Sequence, residues 1–347
     1  VRRRRQRQMC IRDRYWAGPE QISRRMSQGE VPIQGGPRKA ARRLQLGFAG
    51  ENFGYAISLG LPDSSGHFML PGHSSPIASR FTLDPWIKRE SIWGGPLYRS
   101  ASALVDRQGP MIRARAGRQW EVLAQHTSSG DSLFDRVGNL SSSPEVLHLR
   151  EQIRGWRFYD HLRTDSQAPA RRPQLGTRTP VLHHDGRDLA AALQTIIEVG
   201  DQQALHETIS DAFPESRLEI DAVPGGLFGV QFYQEGLLRP LSAAELSDGT
   251  LRYLLLVAAL LTPRPPTLMV LNEPETSLHP DLLPALARLI IRASQQCQVW
   301  VVSHARRLIA ALQQDPECNC IVLEKQLGQT GIVGQRMLDE PAWNWPD

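Results

Sequence analysis

Thirteen residues constrain this chain more than any others. Leu268-Met269-Val270-Leu271 is apolar without alternation, and it runs straight into Asn272-Glu273-Pro274-Glu275 and then Thr276-Ser277-Leu278-His279-Pro280. A strand that is apolar on both faces belongs in the middle of a parallel sheet covered by helices. In open α/β sheets the crevice at the carboxyl ends of such strands is where ligands bind. The chain therefore reads as α/β, with a candidate site in the acidic turn that follows the strand.

Composition narrows the class. With 347 residues, 41% of them hydrophobic, the chain can bury a large core in one domain or two. The longest apolar run of the C-terminal half, Tyr253 to Leu261, is far short of the roughly 20 residues that span a bilayer. The start shows no signal-peptide core, so a cytoplasmic protein with no membrane partner is expected. Four cysteines, Cys10, Cys297, Cys318 and Cys320, are too few and too unevenly spaced for a disulfide framework, in keeping with a reducing compartment.

The formal charge of +4 is misleading, because residues 1–14 hold seven Arg and one Asp. The remaining 333 residues carry 33 basic against 35 acidic side chains, a net of −2, which gives no support for nucleic acid as a partner. The stretch Met9-Cys10-Ile11-Arg12-Asp13-Arg14 resembles translated library-adaptor sequence, so residues 1–15 are expected to be a non-native leader, the alternative being a natural basic arm.

Residues 44–59 alternate on either side of a Gly/Asn turn and predict an antiparallel hairpin. A Gly/Pro/Ser/His-rich loop is expected over 61–80, further short strands to about Gln125, and a surface crossing over 164–180. Val146, Leu149, Ile153, Trp156 and Tyr159 recur at helical spacing after a Ser/Pro start and predict one helix through all five. Helices fit 188–199 and 201–213, with Gly200 between them, and strands fit 218–222 and 227–233.

Four features then follow in order: Glu245 to Leu261, the Leu268 strand with its acidic turn, Thr276 to Ala293, and Val299 to Leu308. The first sets Ser247, Asp248 and Gly249 before a long apolar helix, a start that offers unpaired N–H groups and a positive dipole end to a phosphate, although Ser and Asp are also ordinary caps. The third is a helix opened by Pro280, with Leu282, Leu283, Leu286, Leu289 and Ile290 as its buried stripe. The fourth is a buried strand ending in Ser303 and His304.

In this order and spacing the chain resembles the ATP-binding-cassette type of ATPase head, in the branch of RecF-like, SMC-like and AAA/ABC-type bacterial ATPases, specifically over about 185–323. The resemblance implies an α/β P-loop NTPase head with a mostly parallel core sheet, an antiparallel hairpin lobe with a helical insertion over about 44–215, site motifs over 245–323 and a tail over 324–347. It implies ATP and Mg²⁺ as cofactors and an ATP-dependent homodimer. Residues 246–250 would be the signature motif, with Ser247, Asp248 and Gly249 binding nucleotide held by the opposing subunit. Leu268–Glu273 would be the Walker B strand with Glu273 as general base, the loop with Ser277 and His279 the D-loop, and His304 the switch histidine.

Two departures stand out. Where the family usually places Asp, Asn272 would hold a magnesium-bound water without contributing charge. The phosphate cradle G-x-x-x-x-G-K-[ST] is nowhere in the 347 residues; Gly35-Gly36-Pro37-Arg38-Lys39-Ala40 lacks the spacing and the hydroxyl. An N-terminally truncated and inactive ATPase is the resulting expectation, with DNA repair or phage defence as the roles of similar proteins. The alternative is a non-catalytic nucleotide-sensing or interaction module.

Lesser candidates have plain readings. His183-His184-Asp185-Gly186 offers metal-ligating side chains, yet Asp-Gly is a common turn. Cys318 and Cys320 read as surface thiols rather than a zinc pair. Arg252, one turn into the apolar helix, could face phosphate or solvent. The aromatic tail at 341–347 could pack on the domain or meet a partner.

Overall fold

A computed structural model describes residues 43–61, 67–68, 77–78, 84–135, 144–160, 162–326 and 329–334. The expected leader, the 35–40 stretch, Cys10, most of the 61–80 loop and the aromatic tail lie outside these residues. The chain divides into two compact units, residues 1–151 with 321–347 and residues 152–320.

The first unit is antiparallel. Strands β1 (Arg43–Ala49) and β2 (Phe53–Gly60) form the expected hairpin, with Leu46 opposite Ile57 and Phe48 opposite Tyr55. The sheet continues through β3 (Trp86–Gly94), β4 (Ala103–Gln108), β5 (Met111–Ala116) and β6 (Gln119–Ala124) in that order. At Gly54 the indole of Trp93 lies 2.1 Å from where a Cβ would sit, so only glycine admits this ring. A further hairpin, written here as β12 (Leu323–Gln326) and β13 (Gln329–Ile332), closes the described part of the unit.

Helix α1 (Pro144–Gly155) is shorter than its periodicity predicts. It ends at Gly155, and Arg157–Tyr159 becomes a strand, β7, instead of another helical turn. The helical spacing of Trp156 and Tyr159 is real but is outweighed by pairing. Phe158 and Tyr159 lie in parallel register with Val270 and Leu271, and the buried Tyr159 hydroxyl donates to the Leu182 carbonyl at 2.9 Å.

The second unit has α2 (Leu189–Val199), α3 (Gln202–Ala212), and the antiparallel pair β8 (Arg217–Val223) and β9 (Leu227–Tyr233), close to expectation. Helix α4 (Asp248–Leu260) is the core: every residue from Leu251 to Leu260 is buried. Strand β10 (Leu268–Asn272) lies between β7 and β11 (Gln298–Val302), parallel to both. Parallel pairing among the described residues is confined to these three strands. Helix α5 (Leu283–Ser294) follows a 3-10 turn at Pro280–Leu282 and buries Leu283, Leu286, Leu289 and Ile290, while Leu282 is half-buried. Helix α6 (Arg306–Leu312) comes last.

Two expectations are corrected. Strand β11 is only half-buried and Val302 is 42% exposed, because among the described residues it is the edge of the parallel sheet rather than an interior strand. The 164–180 segment does not merely cross the surface: Ala168 and Ala170 are buried and Arg171 reaches inward, as described below. Among the described residues, no helix is long and apolar enough to cross a membrane.

Candidate functional site

The parallel register sets Asn272 beside Val302, so β10 and β11 end together and their following turns meet. The Glu273 N–H donates to the Val302 carbonyl at 2.8 Å, extending the ladder by one step. Glu273 has φ +45° and Ser277 φ +64°, left-handed values that cost a non-glycine residue about 1–3 kcal/mol. Such strain persists only where neighbours over-determine it, and at Glu273 they do. The Arg252 Nη2 donates to the Glu273 carbonyl at 3.0 Å and Nε to that of Pro274 at 3.4 Å, while Nη1 takes the Leu162 carbonyl at 3.1 Å.

Arg252 is thus neither solvated nor turned to an open phosphate site. It is a buried brace between α4 and the acidic turn. Burial pushes its pKa down, and the carboxylates of Glu275 and Glu273 push it back up.

Glu273 itself points outward. Its carboxylate is 50% exposed, with Oε1 3.5 Å from Nε2 of His304 on the turn after β11. Asn272 is exposed beside it. Glu275 turns the other way. Its Oε1 accepts from the Ser303 hydroxyl at 2.6 Å, the His304 N–H at 2.9 Å and the Ala305 N–H at 3.1 Å, and its Oε2 is buried without a hydrogen bond.

The loop before α4 is fixed from two sides. Ser247 caps the helix, its Oγ accepting from the Thr250 N–H at 3.1 Å. Asp248 accepts from Arg171 Nη2 at 2.6 Å, and Nη1 of the same guanidinium donates to the Leu246 carbonyl at 2.7 Å. At Gly249 a Cβ would lie 2.7 Å from the Ser277 carbonyl oxygen, so only glycine permits this approach of the loop to residue 277. Further along, exposed His279 accepts from the Asp281 N–H at 3.3 Å, and Asp281 bonds Arg307 at 3.2 Å.

The structure therefore joins Glu273 to His304 and Gly249 to Ser277, whereas Ser247 serves its own helix and His279 its own loop. Sequence reasoning misses Arg171 and Glu275, and it singles out Arg252 without foreseeing that it turns inward to brace the acidic turn. A second acid in that turn is the one signal that could flag Glu275.

The His183 cluster is a closed turn. His183, His184 and Asp185 offer ligand atoms within 4.8 Å of one another, and both ring nitrogens of His183 already have partners, Asp185 Oδ1 at 2.7 Å from Nδ1 and Arg187 Nη2 at 2.6 Å from Nε2. Cys318 and Cys320 are exposed free thiols.

Exposed oxygen donors at the end of β10, the Asn272 amide and the Glu273 carboxylate, suit a hard cation such as Mg²⁺ held through water. The residues present thus fit the metal, while the N–H-rich cradle that a triphosphate needs is not spelled by any stretch of the chain.

Residues 117–310 match the family model described as "AAA domain, putative AbiEii toxin, Type IV TA system". No curated protein sequence matches. Among solved structures, an Smc head bound to the C-terminal winged-helix domain of ScpA is 10% identical over 81% of this chain and 74% of its own, with a TM-score of 0.37. The SMC head domain from Thermotoga maritima is 13% identical over 71% and 73%, at 0.32. A Pyrococcus furiosus Smc head with an extended coiled coil is 10% identical over 81% and 77%, at 0.36. The family model spans more than half of the chain, which therefore belongs to this AAA domain family, of the P-loop NTPase type.

Proposed function

We propose that the chain is an ATP-binding and ATP-hydrolysing head that works as a nucleotide-sandwiched homodimer. The observation that carries this is the exposed carboxylate of Glu273 set 3.5 Å from the His304 imidazole at the carboxyl ends of two neighbouring parallel strands. Glu273 orients and partly deprotonates the attacking water, a role worth about 10²–10⁴-fold in rate. His304 donates a hydrogen bond to the γ-phosphate. Ser247 and the Gly249 N–H face the γ-phosphate of ATP held by the opposing subunit, and the Ser277–Asp281 loop, with His279, lies between the two sites. Asn272 and Glu273 are the residues that would hold Mg²⁺, which when bound would neutralise charge on the phosphates.

A type IV toxin–antitoxin setting is carried over from the family's description as part of this proposal. Phage defence and DNA repair are the two wider roles this reading admits, and the net charge of −2 over residues 15–347 offers no support for DNA. One observation favours a second reading, a non-catalytic nucleotide-sensing module: Asn272, at the end of β10, supplies no charge to a metal.

Hydrolysis decides between them, measured on the chain with a strand bearing G-x-x-x-x-G-K-[ST] supplied at its N-terminal side. Glu273→Gln is expected to keep ATP binding, lower phosphate release by about 10²–10⁴-fold, and accumulate the dimer on size-exclusion chromatography. Ser247→Arg is expected to block that dimer while sparing nucleotide binding by the monomer. Wild-type phosphate release by Glu273→Gln removes the residue from its role, and ATP binding without turnover in the wild type establishes the second reading.

A further inference from the structure

We propose that Glu275 is a positioning residue, a clasp that ties the turn after β11 to the turn after β10 and so holds His304 against Glu273. The His304 imidazole is 84% exposed, so its position is set by its own backbone rather than by surrounding side chains. Apart from the Ser303 Oγ, which also accepts from the Ala305 N–H at 3.1 Å, one carboxylate grips that backbone. A single oxygen of Glu275 accepts from the Ser303 hydroxyl, the His304 N–H and the Ala305 N–H, bonds that a charged acceptor strengthens.

The rest of the carboxylate argues that the grip is its purpose. Oε2 is buried with no hydrogen bond, an arrangement that costs free energy and that a residue chosen only to fill space would avoid. Arg252 offsets part of this cost through its charge, and the same guanidinium donates to the carbonyls of Glu273 and Pro274. Glu273 and His304 are thus each fixed through the backbone, one by Arg252 and one by Glu275. The functional consequence rests on the ATPase reading above; the clasp itself does not.

Two measurements test it. In the 347-residue chain without nucleotide, Glu275→Ala is expected to speed amide hydrogen exchange at His304 and Ala305 roughly ten- to a hundredfold, while amides of α4 and α5 keep their rates. Glu275→Gln, whose amide oxygen can accept the same three donors, is expected to stay within about tenfold of wild type. With the cradle strand supplied, Glu275→Ala should lower kcat as much as His304→Ala with KM for ATP unchanged, the double variant should lose nothing more, and Glu275→Gln should recover most of the rate. Unchanged exchange at both amides overturns the clasp, and additive losses of kcat overturn its action through His304. If the wild type does not hydrolyse ATP, the function proposed above falls and exchange alone decides the clasp.

Discussion

Two clusters of the same residue types, one in each unit, have opposite character. In the antiparallel unit Glu90 and Arg107 are both fully buried and paired at 2.9 Å. Every oxygen of Glu90 is used: Tyr55 and Ser132 hydroxyls donate to Oε1 at 2.7 and 2.6 Å, and Arg107 and the Leu133 N–H to Oε2, each at 2.9 Å. Arg107 in turn donates to the carbonyls of Gly109, Ser128 and Asp131. In the parallel unit, Glu273 and Glu275 have one exposed carboxylate, one orphaned oxygen, and a strained backbone. A saturated network holds a fold together, whereas an unsaturated one at a strand end is available for chemistry.

The largest expected effect tests the open side of this comparison. Strand β11 has no second partner among the described residues, and no residue stretch supplies the phosphate cradle. A cradle contributes charge-assisted contacts of roughly 1.5–3 kcal/mol each. Three of them amount to about 4–9 kcal/mol, or about three to six decades of affinity. Calorimetry is therefore expected to find ATP binding to the 347-residue chain weaker by that factor than to the same chain with an added cradle strand. Micromolar binding without the addition would mean that the open edge is not where the triphosphate is held.

The closed side predicts a loss of stability with no nucleotide involved. Arg107→Ala leaves Glu90 charged, buried and short of one donor, which costs about 3–5 kcal/mol. Replacing both partners by apolar residues of similar volume removes the charges but takes partners away from the Ser132 hydroxyl, the Leu133 N–H and the carbonyls of Gly109 and Ser128, and is expected to cost at least as much. Denaturant unfolding of the two variants tests this. A double variant as stable as wild type would show that packing, and not saturation, is what the pair provides.

How far the sequence discloses each cluster follows from the kind of bond involved. The strand β10 is legible because burial on both faces leaves no polar residue in Leu268–Leu271, and helix α4 because its apolar run follows Ser247. Glu273 and His304 are legible as the residues that follow two apolar runs, although the second of these, β11, is a half-buried edge rather than an interior strand. Strand β7 is not, since Trp156 and Tyr159 satisfy a helical period and only pairing with β10 overrides it. Arg171, Arg252 and Glu275 leave no periodic trace. Most of their partners are backbone atoms, for Arg171 as much as 75 residues away and for Arg252 as much as 90. Glu90 and Arg107 are hidden likewise, as charged residues inside strands whose alternation predicts only a face.

The smallest expected effect lies between these extremes, on the exposed approach to α4. Arg239 donates to both oxygens of Glu245, at 2.6 and 3.0 Å, and the Ser242 N–H and hydroxyl donate to Oε2. The Arg239 bond, then those from Ser242, hold the Glu245 carboxyl down at about 2. A depressed folded-state pKa means stability that is complete above the unfolded value, about 4.3 for Glu, and is lost as pH falls through the folded one. The thermal midpoint of wild type is therefore expected to exceed that of Glu245→Gln by a constant margin from about pH 5 to 8. That margin should shrink below about pH 4 and vanish near pH 2, where the native carboxylate is protonated too. Because the pair is exposed, salt should narrow the margin at neutral pH as well. A margin indifferent to both pH and salt would assign the effect to the shape of the loop, and would make Glu245 more like the closed cluster of the first unit than its exposure implies.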